Sequence, residues 1–161
     1  MTDNVVPIKP PAISKEDGRQ ADRKWSPLVM KQGYTIVPVL LLHAQKRLGL
    51  SPPQLNVLLQ IASHWWKAAQ LPYPSKQLIA NRMSCTPRQV QRHLTALENA
   101  GLIKRIVRKN TRQGQLSNEY SLAGLVKKLK EIAPEFEAEA EARRQNRAAL
   151  EKRGGVKLRK A

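Results

Sequence analysis

The segment "CTPRQVQRHLTALENAGLIKR", residues 85–105, sets Arg88, Arg92, Lys104 and Arg105 against a single carboxylate, Glu98. Arginine and glutamine are the side chains whose donors and acceptors match base edges. Arginine pairs bidentately with guanine O6/N7, and glutamine with adenine N6/N7. Whether Arg88, Gln89, Gln91 and Arg92 could act together depends on the element that carries them. Thr86 suits a helix N-cap, Pro87 suits the first helical position, and Gly101 suits the position just past a C-terminus, so the spacing predicts a helix over 86–100.

On a helical wheel Val90, Leu94 and Leu97 form one apolar stripe. Arg88, Arg92 and Thr95 then point directly away from it, with Gln89 and Gln91 on the flanks. A face that is merely solvated would mix in carboxylates to form i,i+4 pairs. Here Glu98 falls in the last turns, away from the cationic end. The pattern predicts a base-reading set of Arg88, Gln89, Gln91, Arg92 and Thr95, presented to the major groove of double-stranded DNA.

The elements on either side support that placement. "SKQLIANRM", with Ser75 as N-cap and Leu78, Ile79 and Met83 apolar, predicts a short preceding helix, and Ser84 and Cys85 leave room only for a tight turn. After Gly101, "LIKRIVR" is β-branched, "KNTRQGQ" has turn composition, and "LSNEYSL" suits a return strand. The expected order is helix, helix, helix-turn-helix and β-hairpin, a winged helix. Lys76, Arg82, Thr86, Lys104, Arg105, Arg108, Lys109 and Arg112 are expected on DNA backbone, the last five from the wing. Such contacts position a protein and make its binding salt-dependent.

Upstream, Ser51 and Pro52 predict a helix start. Leu55, Leu58, Leu59, Ala62, Trp65 and Trp66 give it a wide apolar face, and Leu71-Pro72 its end. The paired tryptophans lie on a leucine-rich face and read as core rather than as a base-stacking platform. Leu41, Leu42 and Leu48 predict another helix, closed by Gly49. Residues 1–37, rich in proline and polar residues, read as a flexible arm in which Trp25, Leu28, Val29, Ile36 and Val37 could strap onto the domain. Residues 38–121 read as the domain. Residues 122–161 read as an amphipathic helix over 122–133, a second helix opening at Pro134, and a charged tail. The apolar face of 122–133 needs burial, either in a homodimer or against its own domain. The fold class expected is mainly α with a small β-hairpin.

Charge agrees with a polyanionic partner. The 161-residue chain carries a formal +17, and residues 38–125 hold 12 Lys/Arg against 2 Asp/Glu. The excess therefore sits on the folded part and not only on a tail. No run approaches the roughly 20 apolar residues of a spanning helix, and the N-terminus lacks signal-peptide layout. One cysteine, Cys85, allows no intrachain disulfide and fits a cytoplasmic, nucleoid-associated protein. Cys85 is expected as a buried, inert thiol in the turn. His43, His64 and His93 are too scattered for a metal site. No phosphate loop or nucleophile elbow is present, so neither a cofactor nor an enzyme is expected, and no small-molecule effector is evident.

"PSKQLIANRMSCTPRQVQRHLTALENAGLIKR", residues 74–105, resembles the winged-helix module of bacterial regulators of the MarR and GntR types. Ala80, Thr86, Val90, Leu94, Leu97 and Gly101-Leu102-Ile103 carry the likeness. Residues 45–125 are similar, more particularly, to helix-turn-helix domains of phage, plasmid and mobile-element proteins. The resemblance implies a DNA-binding transcriptional regulator, or alternatively a plasmid or phage replication initiator or origin-binding protein. A winged helix used as a protein-binding adaptor is a further alternative. Single-stranded RNA is disfavoured because the basic hairpin has no interleaved aromatics. Ser84 departs from the family's turn glycine, so the turn must accept a side chain there.

Overall fold

The computed structural model describes residues 15–110 and 114–152, with side chains for 20–108 and 116–150. Seven helices and four short strands follow one another among these residues: α1 (Lys15–Trp25), α2 (Pro27–Lys31), α3 (Val39–His43), α4 (Pro52–Ala62), α5 (Lys76–Arg82), α6 (Pro87–Asn99), β1 (Lys104–Ile106), β2 (Lys109–Asn110), β3 (Gly114–Gln115), β4 (Glu119–Ser121) and α7 (Ala123–Lys152). The mainly helical fold with a β-hairpin wing is the one expected from the sequence.

The core forms where three apolar stripes meet. Val57, Leu58 and Ile61 of α4, Ile79 and Ala80 of α5, and Val90, Leu94 and Leu97 of α6 are all buried. Each large aliphatic side chain removed from water contributes about 1.5–3 kcal/mol. Leu102, Ile103, Tyr120, Leu122 and Leu125 extend this cluster under the hairpin and the start of α7. Cys85 packs against the same core but is half-buried, not buried as expected.

The hairpin is antiparallel in two short stretches. β1 pairs with β4 in the register Lys104↔Ser121, Arg105↔Tyr120, Ile106↔Glu119. Further out, β2 pairs with β3, Lys109↔Gln115 and Asn110↔Gly114. Its base is tied to the segment before α5, because the Tyr120 amide donates to the Pro72 carbonyl at 2.9 Å.

Gly101 makes the turn into the wing. Its φ of +67° lets the Leu102 amide donate to Leu97 and its own amide to Glu98, closing the carbonyl end of α6. Gly124 serves the same junction by its size. A Cβ there would lie 2.1 Å from the Gly101 carbonyl oxygen, so only glycine lets α7 start against this turn.

Several expectations are corrected. α4 stops at Ala62, well before Leu71. The Ser63 hydroxyl donates back to the Gln60 carbonyl at 2.7 Å, and the next amides close i−3 bonds, tightening the last turn out of α-helical geometry. Trp65 still packs against the core, as expected, but from a loop. The helix predicted from Leu41 to Leu48 is helical only over Val39–His43, and turns then lead to Gly49 at φ +66°.

Within the segment read as an arm, α1 and α2 form and pack on each other. Trp25, Leu28, Val29 and Ile36 remain exposed, and only Val37 reaches the core. Pro134 does not start a separate helix but lies inside α7. It deprives the Lys130 carbonyl of its amide partner, and both residues are exposed, so water can take the amide's place. Much of the 122–133 face turns inward, with Leu122 and Leu125 buried and Leu129 packed on the core, while Val126 lines an open groove with Trp65 and Leu71. The remainder of the N-terminal arm, the hairpin tip at 111–113 and the tail beyond 152 lie outside the described residues.

Candidate nucleic-acid interface

Two capped helices hold the site. The Ser75 hydroxyl accepts from the Leu78 amide at 3.1 Å and starts α5. Thr86 starts α6, its hydroxyl accepting from the Gln89 amide at 3.2 Å. Between them Ser84 sits at φ +51°, in the left-handed region. This lets the Cys85 amide reach the Ala80 carbonyl at 3.0 Å, so the turn has the geometry glycine usually supplies, at a steric cost from the Ser84 Cβ.

The apolar stripe of α6 fixes the opposite face outward. Arg88 and Arg92 are exposed, and Gln91 and Thr95 are half-buried. All four line one open groove of about 640 Å³, together with Ser51, Gln54, His93, Ala96 and Asn99. No carboxylate is among its lining residues. Lys76 joins the site from α5, its Nζ donating to Gln91 Oε1 at 3.1 Å, while Gln91 Nε2 donates to Thr95 Oγ1 at 3.4 Å. Lys76, Arg88, Gln91, Arg92 and Thr95 are thus brought together.

Gln89 is placed differently. Its Oε1 accepts from the Thr86 amide at 2.9 Å and from the Thr86 hydroxyl at 3.1 Å, completing a capping box. Bidentate adenine recognition would require that oxygen to leave the cap. Thr86 is likewise engaged in the cap. Ser51 and Gln54 repeat the arrangement at the start of α4, Gln54 Oε1 accepting from the Ser51 amide at 2.8 Å. The Ser/Thr-x-x-Gln spacing was the sequence signal for both caps. Ala96 and Asn99 were visible on the wheel as the continuation of the Arg92 row, whereas Ser51 and Gln54 come close only through the fold.

Arg105, Arg108 and Arg82 make contacts within the protein. Arg105 grips Glu98: its amide donates to Glu98 Oε1 at 2.9 Å, its Nε to Oε2 at 2.7 Å, and its terminal nitrogen to Oε2 as well. These bonds hold the Glu98 carboxyl below its ordinary range. Arg105 therefore clamps the wing to α6, and it is largely shielded from solvent. Arg108 lies 4.6 Å from the Tyr73 ring centroid and 3.4 Å from the Glu119 carboxylate, pinning the outer stem.

Arg82 Nη1 lies 3.1 Å from His64 Nε2 and 3.4 Å from Gln60 Oε1, on the side toward α4. Since a guanidinium only donates, Nε2 must accept and the His64 proton sits on Nδ1. Burial, and then the Arg82 charge, lower the His64 pKa. Lys104 is exposed at the wing's base. The Lys109 backbone lies in β2, while its side chain and Arg112 lie outside what is described. Among the described residues no group of three or more His, Cys, Asp or Glu could hold a metal ion, and no helix is long and apolar enough to cross a membrane.

Residues 48–103 match the family described as "Helix-turn-helix domain". That stretch, about a third of the chain, has the helix-turn-helix fold. Its two helices are α5 and α6, and β1–β4 add the wing. No curated protein matches the chain. Among solved structures, the chain is similar to the N-terminal domain of the DnaD protein from Geobacillus kaustophilus, at 23% identity and a TM-score of 0.51. The match covers 81% of this chain and 99% of that one, a likeness of fold. It is also similar to MepR of S. aureus, solved in complex with DNA, at 23% identity and a TM-score of 0.42, covering 86% of this chain and 95% of that one.

Proposed function

We propose that the protein binds double-stranded DNA with sequence preference and acts as a transcriptional regulator in a bacterial cytoplasm. The observation that carries this reading is the carboxylate-free groove on α6, where exposed Arg88 and Arg92 stand beside Gln91 and Thr95 on a helix fixed by its cap and core. In a major groove, Arg88 and Arg92 offer bidentate donors to guanine, and Thr95 contacts phosphate or a thymine methyl. Lys76 and Lys104 reach backbone on either side. Gln91 reads a base once the Lys76 ammonium transfers to phosphate, and Gln89 once its cap opens. Arg105 and Arg108 serve mainly by holding the wing in place beside α6.

Replacing Arg92 tests the assignment. Arg92→Ala should weaken binding to the preferred site by about 1–3 kcal/mol and relax preference at one base position. If every base position keeps its preference, Arg92 is not a reading residue. Where the sites lie sets the biological role: single operators near promoters fit a regulator. Repeated sites at a replication origin would make it an origin-binding protein of a plasmid or phage, using the same interface.

A further inference from the structure

α6 carries three side-chain amides, and the fold treats each differently. Gln89 Oε1 is taken by the Thr86 cap. Gln91 is held at both ends, its Oε1 accepting from the Lys76 ammonium and its Nε2 donating to Thr95 Oγ1. Asn99, the last residue of α6, is exposed on the open groove, and its amide has no hydrogen-bonding partner among the described residues. Of the three, it alone keeps a free oxygen and a free nitrogen side by side, the pair that meets N6–H and N7 of adenine.

Its place on the helix agrees with that use. Asn99 lies eleven residues after Arg88 and seven after Arg92, close to three and two whole turns, so the three share one row on the outward face. Ala96, which lines the groove between Arg92 and Asn99, is small enough to leave the row open. The acid next in sequence, Glu98, is gripped by Arg105 and does not line the groove. The end of α6 that carries Asn99 is also the end that turns into the wing, so a wing set on DNA backbone brings this end toward the duplex.

We propose that Asn99 is a further specificity-determining residue, which reads an adenine at the far end of the site from the base met by Arg88. The proposal rests on the DNA reading above and extends it beyond Thr95. From Arg88 to Asn99 the helix rises about 16 Å at 1.5 Å per residue. That is roughly five base steps of 3.4 Å. The site then carries guanine and adenine within about five base pairs of each other, rather than guanines alone.

Enrichment of duplexes from a random pool by the full chain tests this, run in parallel with Asn99→Ala, Asn99→Asp and Arg88→Ala/Arg92→Ala. The wild-type motif should hold an adenine within about five base pairs of its guanines. Asn99→Ala should relax that position alone and weaken binding to the enriched site about five- to a hundredfold. Its affinity for a site already lacking that adenine should match the wild type's. Asn99→Asp should turn the same position toward cytosine, because a carboxylate only accepts and cytosine N4 supplies the donor. Both variants change an exposed side chain, so the unfolding transition should stay in place. A motif whose guanines answer to Arg88 and Arg92 but whose every position survives Asn99→Ala would overturn this proposal and leave the DNA reading standing. An Asn99→Asp motif that keeps the adenine would do the same. A wild-type pool that stays random would remove both.

Discussion

Glu98→Ala probes the clamp that sets the wing against α6. The substitution removes three hydrogen bonds from Arg105, one to its backbone amide and two to its guanidinium. The backbone bond is part-buried, and its loss costs about 1 kcal/mol. The ion pair is partly solvated, with side-chain exposures of 19% for Arg105 and 32% for Glu98, so its share is about 1 kcal/mol rather than the larger value of a buried pair. The total, about 2 kcal/mol, shifts a urea midpoint by roughly 1 M at an m-value of about 2 kcal/mol/M.

A double-mutant cycle with Arg105→Ala separates the two parts, since that change leaves the backbone amide in place. The coupling energy should be about 1 kcal/mol. The sign with pH follows from the lowered Glu98 pKa. The stabilisation is complete above the unfolded value of 4.5 and disappears as pH falls through the lower folded value, so the wild type and Glu98→Ala should converge in acid. A coupling energy near zero at neutral pH, or a difference between the two proteins that persists in strong acid, would refute the clamp.

Three further outcomes follow from the same geometry. Ser84→Gly should stabilise the protein by about 0.5–1 kcal/mol in denaturant melts, because glycine occupies φ +51° without the Cβ penalty. Gly124→Ala should destabilise it by more than about 3 kcal/mol, because the new Cβ would lie 2.1 Å from the Gly101 carbonyl oxygen and backbone must move. His64 is held neutral when folded, while the unfolded chain takes up its proton near 6.5. Stability should therefore fall as pH drops from about 6.5 through the lower folded pKa and then level off, a slope that His64→Gln should remove in urea midpoints taken across that range.

The sequence made the reading head legible because its signals are local. Thr86, Pro87 and Gly101 mark both ends of α6, and Val90, Leu94 and Leu97 orient it, so the exposure of Arg88 and Arg92 followed from spacing alone. What escaped depends on competition between partners. Gln89 has two possible uses, and its own helix N-terminus claims it at no cost in chain entropy. Arg105 reads in sequence as a wing cation, because its partner Glu98 comes within reach only after the Gly101 turn folds back. The early stop of α4 turns on one hydroxyl at Ser63 outbidding helix propagation. Pro134 reads as a helix start in sequence, but the helix already begun at Ala123 absorbs it at an exposed position. The arm's short helices carry little apolar periodicity and pack mainly on each other, so no stripe announced them.

The central claim is that the α6 groove selects sequence. Enrichment of duplexes from a random pool by the full chain, repeated with Arg88→Ala/Arg92→Ala, tests it most directly. The wild type should converge on a motif containing guanines at spacings one helix turn can reach, and the double variant should lose those guanines while keeping salt-sensitive general affinity. A wild-type pool that remains random, or a motif that survives the double substitution unchanged, would contradict the account.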